Sequence, residues 1–228
     1  NEIHIIGDGT KHYKWDWSTW SEVSTLPITY NMNNTVMIAL GNKIHLINGS
    51  AHYTWDGSTW SGDVALPYGV SQPVPVIYNN EFHLIGGSGK KHYKLTNDGW
   101  VSVSTTPINF QSSGVTVYND EIHVLGNRTG LGVAYPTNKH YKFDGSQWAE
   151  CKSLINNPSN AITFKGHLYV TGYGSGYFYR LENPKATLTF FAKNALKDGR
   201  AKGKQVWEQS PMRIYCNETL FNALPEDL

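Results

Sequence analysis

Cysteine is scarce in this chain of 228 residues. Only Cys151 and Cys216 occur, so at most one bridge can form and a disulfide framework is excluded. Excess charge of either sign is also missing, with 19 Lys and Arg against 18 Asp and Glu. Without a strong field, neither nucleic acid nor an anionic membrane surface is an expected partner. The densest basic stretch, Lys193, Lys197, Arg200, Lys202 and Lys204, is broken by Gly199 and Gly203 and reads as a solvated loop. No apolar run approaches the roughly 20 residues that span a bilayer, so no membrane insertion is expected, and no signal-peptide pattern is visible. Helical periodicity is absent before about residue 190. Four sequons, at Asn33, Asn48, Asn127 and Asn217, are no more than chance supplies in a chain this rich in Asn, Ser and Thr.

What is present is an internal repeat. His12-Tyr13-Lys14, His52-Tyr53-Thr54, His92-Tyr93-Lys94 and His140-Tyr141-Lys142 open equivalent segments. A Trp follows each Tyr by seven positions, at Trp20, Trp60, Trp100 and Trp148. Pro27, Pro67 and Pro107 stand seven further on, and the fourth copy has Ile155 there. Upstream, Ile3-His4-Ile5-Ile6-Gly7 recurs as Ile44-His45-Leu46-Ile47, Phe82-His83-Leu84-Ile85-Gly86, Ile122-His123-Val124-Leu125-Gly126 and His167-Leu168-Tyr169-Val170. The period is 40 residues, stretched to 48 between the third and fourth Tyr, and all nine histidines are assigned to these two repeat positions.

Each period reads as four short strands. An apolar stretch such as Thr35 to Leu40 precedes a tight turn rich in Asn, Asp and Gly, residues that tolerate positive φ. The His-bearing strand follows, then the His-Tyr strand, and a turn such as Asp56-Gly57-Ser58-Thr59 leads into a fourth strand at the Trp. Four-stranded antiparallel units at this spacing are propeller blades. A four-stranded sheet cannot bury both faces alone, so blades must pack face to face, with the recurring Tyr and Trp filling the space between them. Those aromatics are therefore read as core before they are read as sugar platforms.

The order apolar strand, Gly, Tyr, Trp and Pro resembles the kelch family over residues 1–183. The family's Gly-Gly doublet survives whole at Gly86-Gly87 and becomes Gly7-Asp8, Asn48-Gly49, Gly126-Asn127 and Gly172-Tyr173 elsewhere. The compact period and the wording Tyr53 to Trp60 look most like kelch-like propellers in tail proteins of phages and prophages. The WD dipeptides at Trp15-Asp16 and Trp55-Asp56 lead into a turn rather than closing the unit, so kelch is the better label. The expected fold is all-β, a kelch-like propeller of about five blades whose first and last are incomplete. Residues 184–228 form a C-terminal extension that docks on the propeller or, as we favour, on a partner subunit. Thr187 to Lys193 is a candidate to complete a blade, and Gln205 to Tyr215 is read as a strand or extended segment. Because the first blade opens in mid-repeat, upstream sequence in a parent protein is expected.

Nine histidines invite a metal hypothesis, but equivalent positions of successive blades stand about 10 Å or more apart, too far for bonds of roughly 2 Å. No metal and no cofactor are expected. His4, His45, His83, His123 and His167 are read as half-buried strand residues bonding to a neighbouring blade. Cys151 lacks the tyrosine and histidine company that the copper-oxidase kelch resemblance demands, and no arginine cluster, phosphate loop or Ser-His-Asp order is present. The expectation is therefore a protein without catalysis. For binding, one side of the blades carries only tight turns. The other carries the insertion Asn127 to Asn138 and the connections after each Pro, so Tyr30, Tyr68, Phe110, Asn127, Arg128 and Tyr135 are the candidate ligand-binding residues.

The phage-like resemblance implies a non-catalytic tail component, located in the virion or extracellularly and multimeric with other virion or tail subunits. Such a component recognises a host-surface glycan or decorates the particle. A cellular kelch adaptor for a protein peptide is the alternative, and a glycan-acting propeller enzyme the second.

Overall fold

The structure is a computed structural model that describes residues 2–31, 33–87, 89–111, 113–126, 137–154, 157–172, 178–181 and 212–213. It consists of five antiparallel sheets, the blades of a β-propeller, and no helix occurs among the described residues. The first sheet has three strands, β1 (Ile3–Gly7), β2 (Lys11–Trp15) and β3 (Trp20–Thr25). The second holds β4 (Thr35–Leu40), β5 (Lys43–Asn48), β6 (Ala51–Trp55) and β7 (Trp60–Gly62). The third holds β8 (Val74–Tyr78), β9 (Glu81–Ile85), β10 (Lys91–Thr96) and β11 (Gly99–Thr105). The fourth holds β12 (Gly114–Tyr118), β13 (Glu121–Leu125), β14 (His140–Phe143) and β15 (Trp148–Glu150). The fifth holds β16 (Pro158–Phe164), β17 (His167–Gly172), β18 (Phe178–Leu181) and β19 (Met212–Arg213).

Each sheet is a simple meander, its strands lying side by side in chain order. The first two hairpin residues adopt positive φ at Asn79-Asn80, Asn119-Asp120 and Lys165-Gly166, the conformation that matches the strand twist. The fifth sheet differs from expectation. Its fourth strand comes from Met212–Arg213, which pairs with Leu181 and Arg180, and lies inside the segment 205–215. Thr187 to Lys193, the expected donor, lies outside the described residues, as does the rest of the extension from residue 184.

The described residues form two compact units. One runs to residue 111 with 146–148, and the other holds 113–126, 137–145 and 149 onward. In the first unit Ile47, Leu66, Val70, Phe82 and Leu84 form a core, with Val36, Ile38, Tyr68 and Trp100 packed against it. In the second, Leu125, Leu154, Leu168 and Val170 do so, joined by Tyr118, Ala161 and Leu181.

Second strands are apolar on both faces, and in the second to fourth sheets both faces are buried. Leu46, Leu84 and Val124 are wholly buried, as are Phe82 and Ile122, with Ile44 nearly so. The corresponding Ile3 and Ile5 of the first sheet are 45% and 46% exposed. Among the described residues that sheet has three strands rather than four.

Two backbone features carry the strain. Gly86, at φ +68°, lies so close to the next connection that a Cβ would stand 2.0 Å from the Phe110 carbonyl oxygen. Trp17, at φ +78°, occupies the turn position filled by Gly57 and Gly145 in sister sheets. The turn is held open by Asp16, whose Oδ1 accepts the Ser18 and Thr19 amides at 2.9 Å each and the Ser18 hydroxyl at 2.7 Å. Asp56 makes the same three contacts at 2.8 Å.

These positions give opposite expectations in urea denaturation. Gly86→Ala should lower the unfolding free energy by about 3 kcal/mol, since a rigid backbone oxygen must move and an alanine must enter the left-handed region. Trp17→Gly should raise it by about 1 kcal/mol, the left-handed penalty of a non-glycine residue.

Candidate functional site

The chemistry-bearing side chains fall in two places, a stripe of histidines inside the sheets and a rim of loops. The stripe follows from register. His45 pairs with Thr54 and Ile47 with His52, so the two histidines are diagonal neighbours on one face. The same diagonal joins His4 to His12, His83 to His92 and His123 to His140. In each case Nδ1 of the first ring meets Nε2 of the second, at 2.8, 3.0, 2.8 and 2.8 Å from the first sheet to the fourth. The hydrogen bond expected to reach a neighbouring blade is thus made within the blade. Alternation puts the residues of adjacent strands on one face, a relation that strand-by-strand comparison between blades does not reveal.

Burial disfavours the charged form of His12, His45, His52, His83, His92, His123 and His140. Desolvation, aided by the charge of His4, pushes His12 down to about 4, and desolvation with His52 does the same for His45. His92 and His140 are pushed to about 3, again chiefly by burial. His52, His83 and His123 are lowered for the same first reason.

An ion pair caps the stripe in three sheets. Lys14 bonds Glu2 at 2.9 Å, Lys94 bonds Glu81 at 2.8 Å and Lys142 bonds Glu121 at 2.8 Å. Each Glu also lies 3.4 to 3.7 Å from Nε2 of the first histidine. Its lysine holds the carboxyl below the usual range in Glu2 and Glu81. The second sheet replaces the acid by Lys43 and the base by Thr54. There Asp63 joins His45 and His52, and the three offer ligand atoms within 4.8 Å of one another.

The fifth sheet departs further. Phe164 pairs with His167 as Leu40 does with Lys43, which puts His167 at the Lys43 position and Tyr169 at that of His45. Eight histidines, not nine, therefore hold the two repeat positions. Tyr169 stacks on Phe178, with centroids 5.3 Å apart and planes at 14°, in place of the imidazole pair.

Within the first unit, the third-strand histidine also carries the aromatic of the following sheet. His12 meets Trp55 and Trp60 at 5.1 and 5.4 Å, His52 meets Trp100 at 5.6 Å, and His92 meets Trp148 at 5.5 Å. Two of these indoles are also held by hydrogen bonds, whereas Trp60 Nε1 is buried without a partner. Trp100 Nε1 donates to the Val64 carbonyl and Trp148 Nε1 to the Ser104 hydroxyl, each at 3.1 Å.

The rim is where the candidate binding residues were expected. Tyr30 is half-buried and its amide donates to the Gly9 carbonyl at 2.6 Å. Val70 donates likewise to Gly49, and Phe110 accepts from Gly87, so the equivalents of Tyr30 are Val70 and Phe110. Phe110 is fully buried and packs on Trp148 at 5.5 Å. Tyr68 lies one residue after its Pro rather than three. Its ring meets Tyr93 at 5.0 Å and takes the Lys91 ammonium 3.6 Å above its face. Burial raises the Tyr68 phenol, and its hydroxyl is enclosed without a hydrogen-bond partner. Asn127, Arg128 and Tyr135 lie outside the described residues.

Three further residues belong with this rim. Gln72, at φ +56°, donates its side-chain amide to Asn33 Oδ1 at 3.3 Å, and its backbone amide bonds the Asn33 carbonyl. Lys91 is the third. The amide-rich wording of these connections was the available signal, but nothing in it paired residues 33 and 72.

The geometry has a known counterpart. Among solved structures the chain is similar to that of YjhT, with a TM-score of 0.62 at 12% identity, covering 73% of this chain and 68% of that one. At that identity the likeness is one of fold. No protein-family model and no curated protein sequence matches the chain.

The buried imidazoles fix a pH dependence. In the unfolded chain each titrates near 6.5, whereas the fold admits the proton only near 3 to 4 at His12, His45, His92 and His140. Below pH 6.5 the unfolded state binds more protons, so stability falls with pH and the loss is complete near the folded values. The urea midpoint should therefore be flat above about pH 7 and decline between about 6.5 and 4. His140→Gln should be less stable at neutral pH yet show a shallower decline.

Proposed function

We propose that this chain is a non-catalytic recognition module, a kelch-like propeller of a phage or prophage tail displayed in several copies. Its ligand is a host-surface glycan, taken at the loop rim of the first unit. The observation that carries the reading is the construction of that rim. Backbone hydrogen bonds tie each post-proline connection to the neighbouring turn, as Val70 to Gly49 at 3.2 Å and Ser71 to Gly87 at 3.1 Å. On this fixed frame stand amides at Asn33 and Gln72, and Tyr68, with Lys91 over its ring, belongs to the same connection as Gln72. Amides and aromatic faces fixed in advance match the hydroxyl and C–H faces of a sugar without an ordering cost.

The non-catalytic part of the reading is supported by where the titratable groups go. Seven histidines are buried, the pairs of the first four sheets are turned toward one another, and three acids are tied to lysines. The repeat wording at Tyr53 to Trp60 supports the tail assignment, and with it a virion or extracellular location and other tail subunits as partners.

A glycan array probed with the purified chain should yield a defined set of surface saccharides. The double variant Asn33→Ala, Gln72→Ala should weaken that binding by about tenfold or more, the value of a polar contact or two, while leaving the thermal unfolding curve in place. An empty array, together with virions that adsorb normally when the propeller is deleted, would leave only a decorative role.

A further inference from the structure

We propose that the second sheet holds a divalent transition-metal ion of the zinc class on His45 Nδ1, His52 Nε2 and the Asp63 carboxylate. The other sheets serve as internal comparisons, because they share the histidine diagonal but differ in what surrounds it. Two imidazole nitrogens bound to one tetrahedral zinc at roughly 2.0 to 2.1 Å stand about 3.3 Å from each other. The second-sheet pair is already at 3.0 Å, the widest of the four, and its rings are stacked at 22° where the others are tilted by 39° to 48°. An opening of a few tenths of an ångström admits the ion.

The outer contacts favour the same arrangement. His52 Nδ1 faces the Val64 carbonyl at 3.3 Å. A proton on that nitrogen leaves the Nε2 lone pair directed at His45, as a backbone carbonyl does behind many metal-bound histidines. In the first sheet His12 Nδ1 is buried with no such partner. On binding, the proton at His45 Nδ1 moves to Nε2 of the same ring, so both imidazoles remain neutral ligands and no net charge is lost.

The carboxylate is particular to this sheet. Asp63 follows Trp60 by three residues, and the same position holds Val23, Val103 and Cys151 in the first, third and fourth sheets. Its amide donates to the His52 carbonyl at 2.8 Å, which sets it beside that ring, as Cys151 is set beside His140. One carboxylate oxygen accepts the Val64 amide at 2.7 Å, leaving the other for an ion. Asp63 is exposed while both rings are buried, so the ion enters from the solvent side and keeps water in its remaining position. The glutamate that elsewhere lies near the first histidine is Lys43 here. Its exposed ammonium opposes the ion, and the Asp63 charge offsets it.

Metal-stripped chain titrated with Co2+ alone should develop the visible absorption of a tetrahedral site, saturating at one ion per chain and abolished by Zn2+. Calorimetry with Zn2+ should give the same stoichiometry. Asp63→Asn keeps the shape of the exposed residue and should weaken Zn2+ by about tenfold or more, while His83→Gln in the third sheet should leave the affinity unchanged. Absence of both the Co2+ spectrum and Zn2+ heat at millimolar ion would overturn the proposal. So would undiminished Zn2+ affinity in Asp63→Asn.

Discussion

The third-strand imidazole is the piece on which the rest of the structure rests. In the first unit it bonds a second imidazole on its own sheet at 2.8 to 3.0 Å and supports the tryptophan of the next sheet at 5.4 to 5.6 Å. Sheets that pack face to face stand about 10 Å apart, and a ring from one with an indole from the other fills that gap. A polar ring so enclosed must satisfy its nitrogens without water, and the diagonal partner supplies one contact at no cost in volume. Neutrality follows from the same enclosure, since a charged imidazole would lose its hydration.

The surroundings of the pair show which parts of the repeat are architectural and which are free to vary. The Lys–Glu caps are partly exposed, and each contributes little by itself. In the fifth sheet Tyr169 and Phe178 fill the space with a stacked pair that has no nitrogen to satisfy. In the second sheet the cap is gone and a carboxylate stands beside the imidazoles instead. One diagonal thus serves as polar glue, as apolar stack or as a ligand set, according to three neighbouring side chains.

The rim obeys a different constraint. Its connections must cross from one sheet to the next, and they do so by backbone hydrogen bonds to the turns beneath, such as Tyr30 to Gly9 and Leu66 to Ser50. Glycine is required where these segments touch, as at Gly86 against the Phe110 carbonyl. The surviving Gly-Gly doublet is therefore a contact requirement. With backbone held this way, side chains such as Asn33 and Gln72 are presented from fixed points.

The sequence by itself determined the sheets and their turns, apart from the last strand of the fifth sheet. Apolar alternation and Asn, Asp or Gly at hairpins are local properties, and they repeat every 40 residues. It also marked Trp20, Trp60, Trp100 and Trp148 as packing residues, but Trp20, on the first sheet, is 49% exposed. Only the tertiary structure decided which side chains meet. Pairing register made His45 a neighbour of His52, and it moved His167 two positions off the histidine stripe. Packing between distant segments put Phe110 inside and brought Gln72 to Asn33. The physical reason is that a strand's local pattern fixes only the alternation of its faces, whereas partners across a sheet and between sheets depend on register and on chain far away.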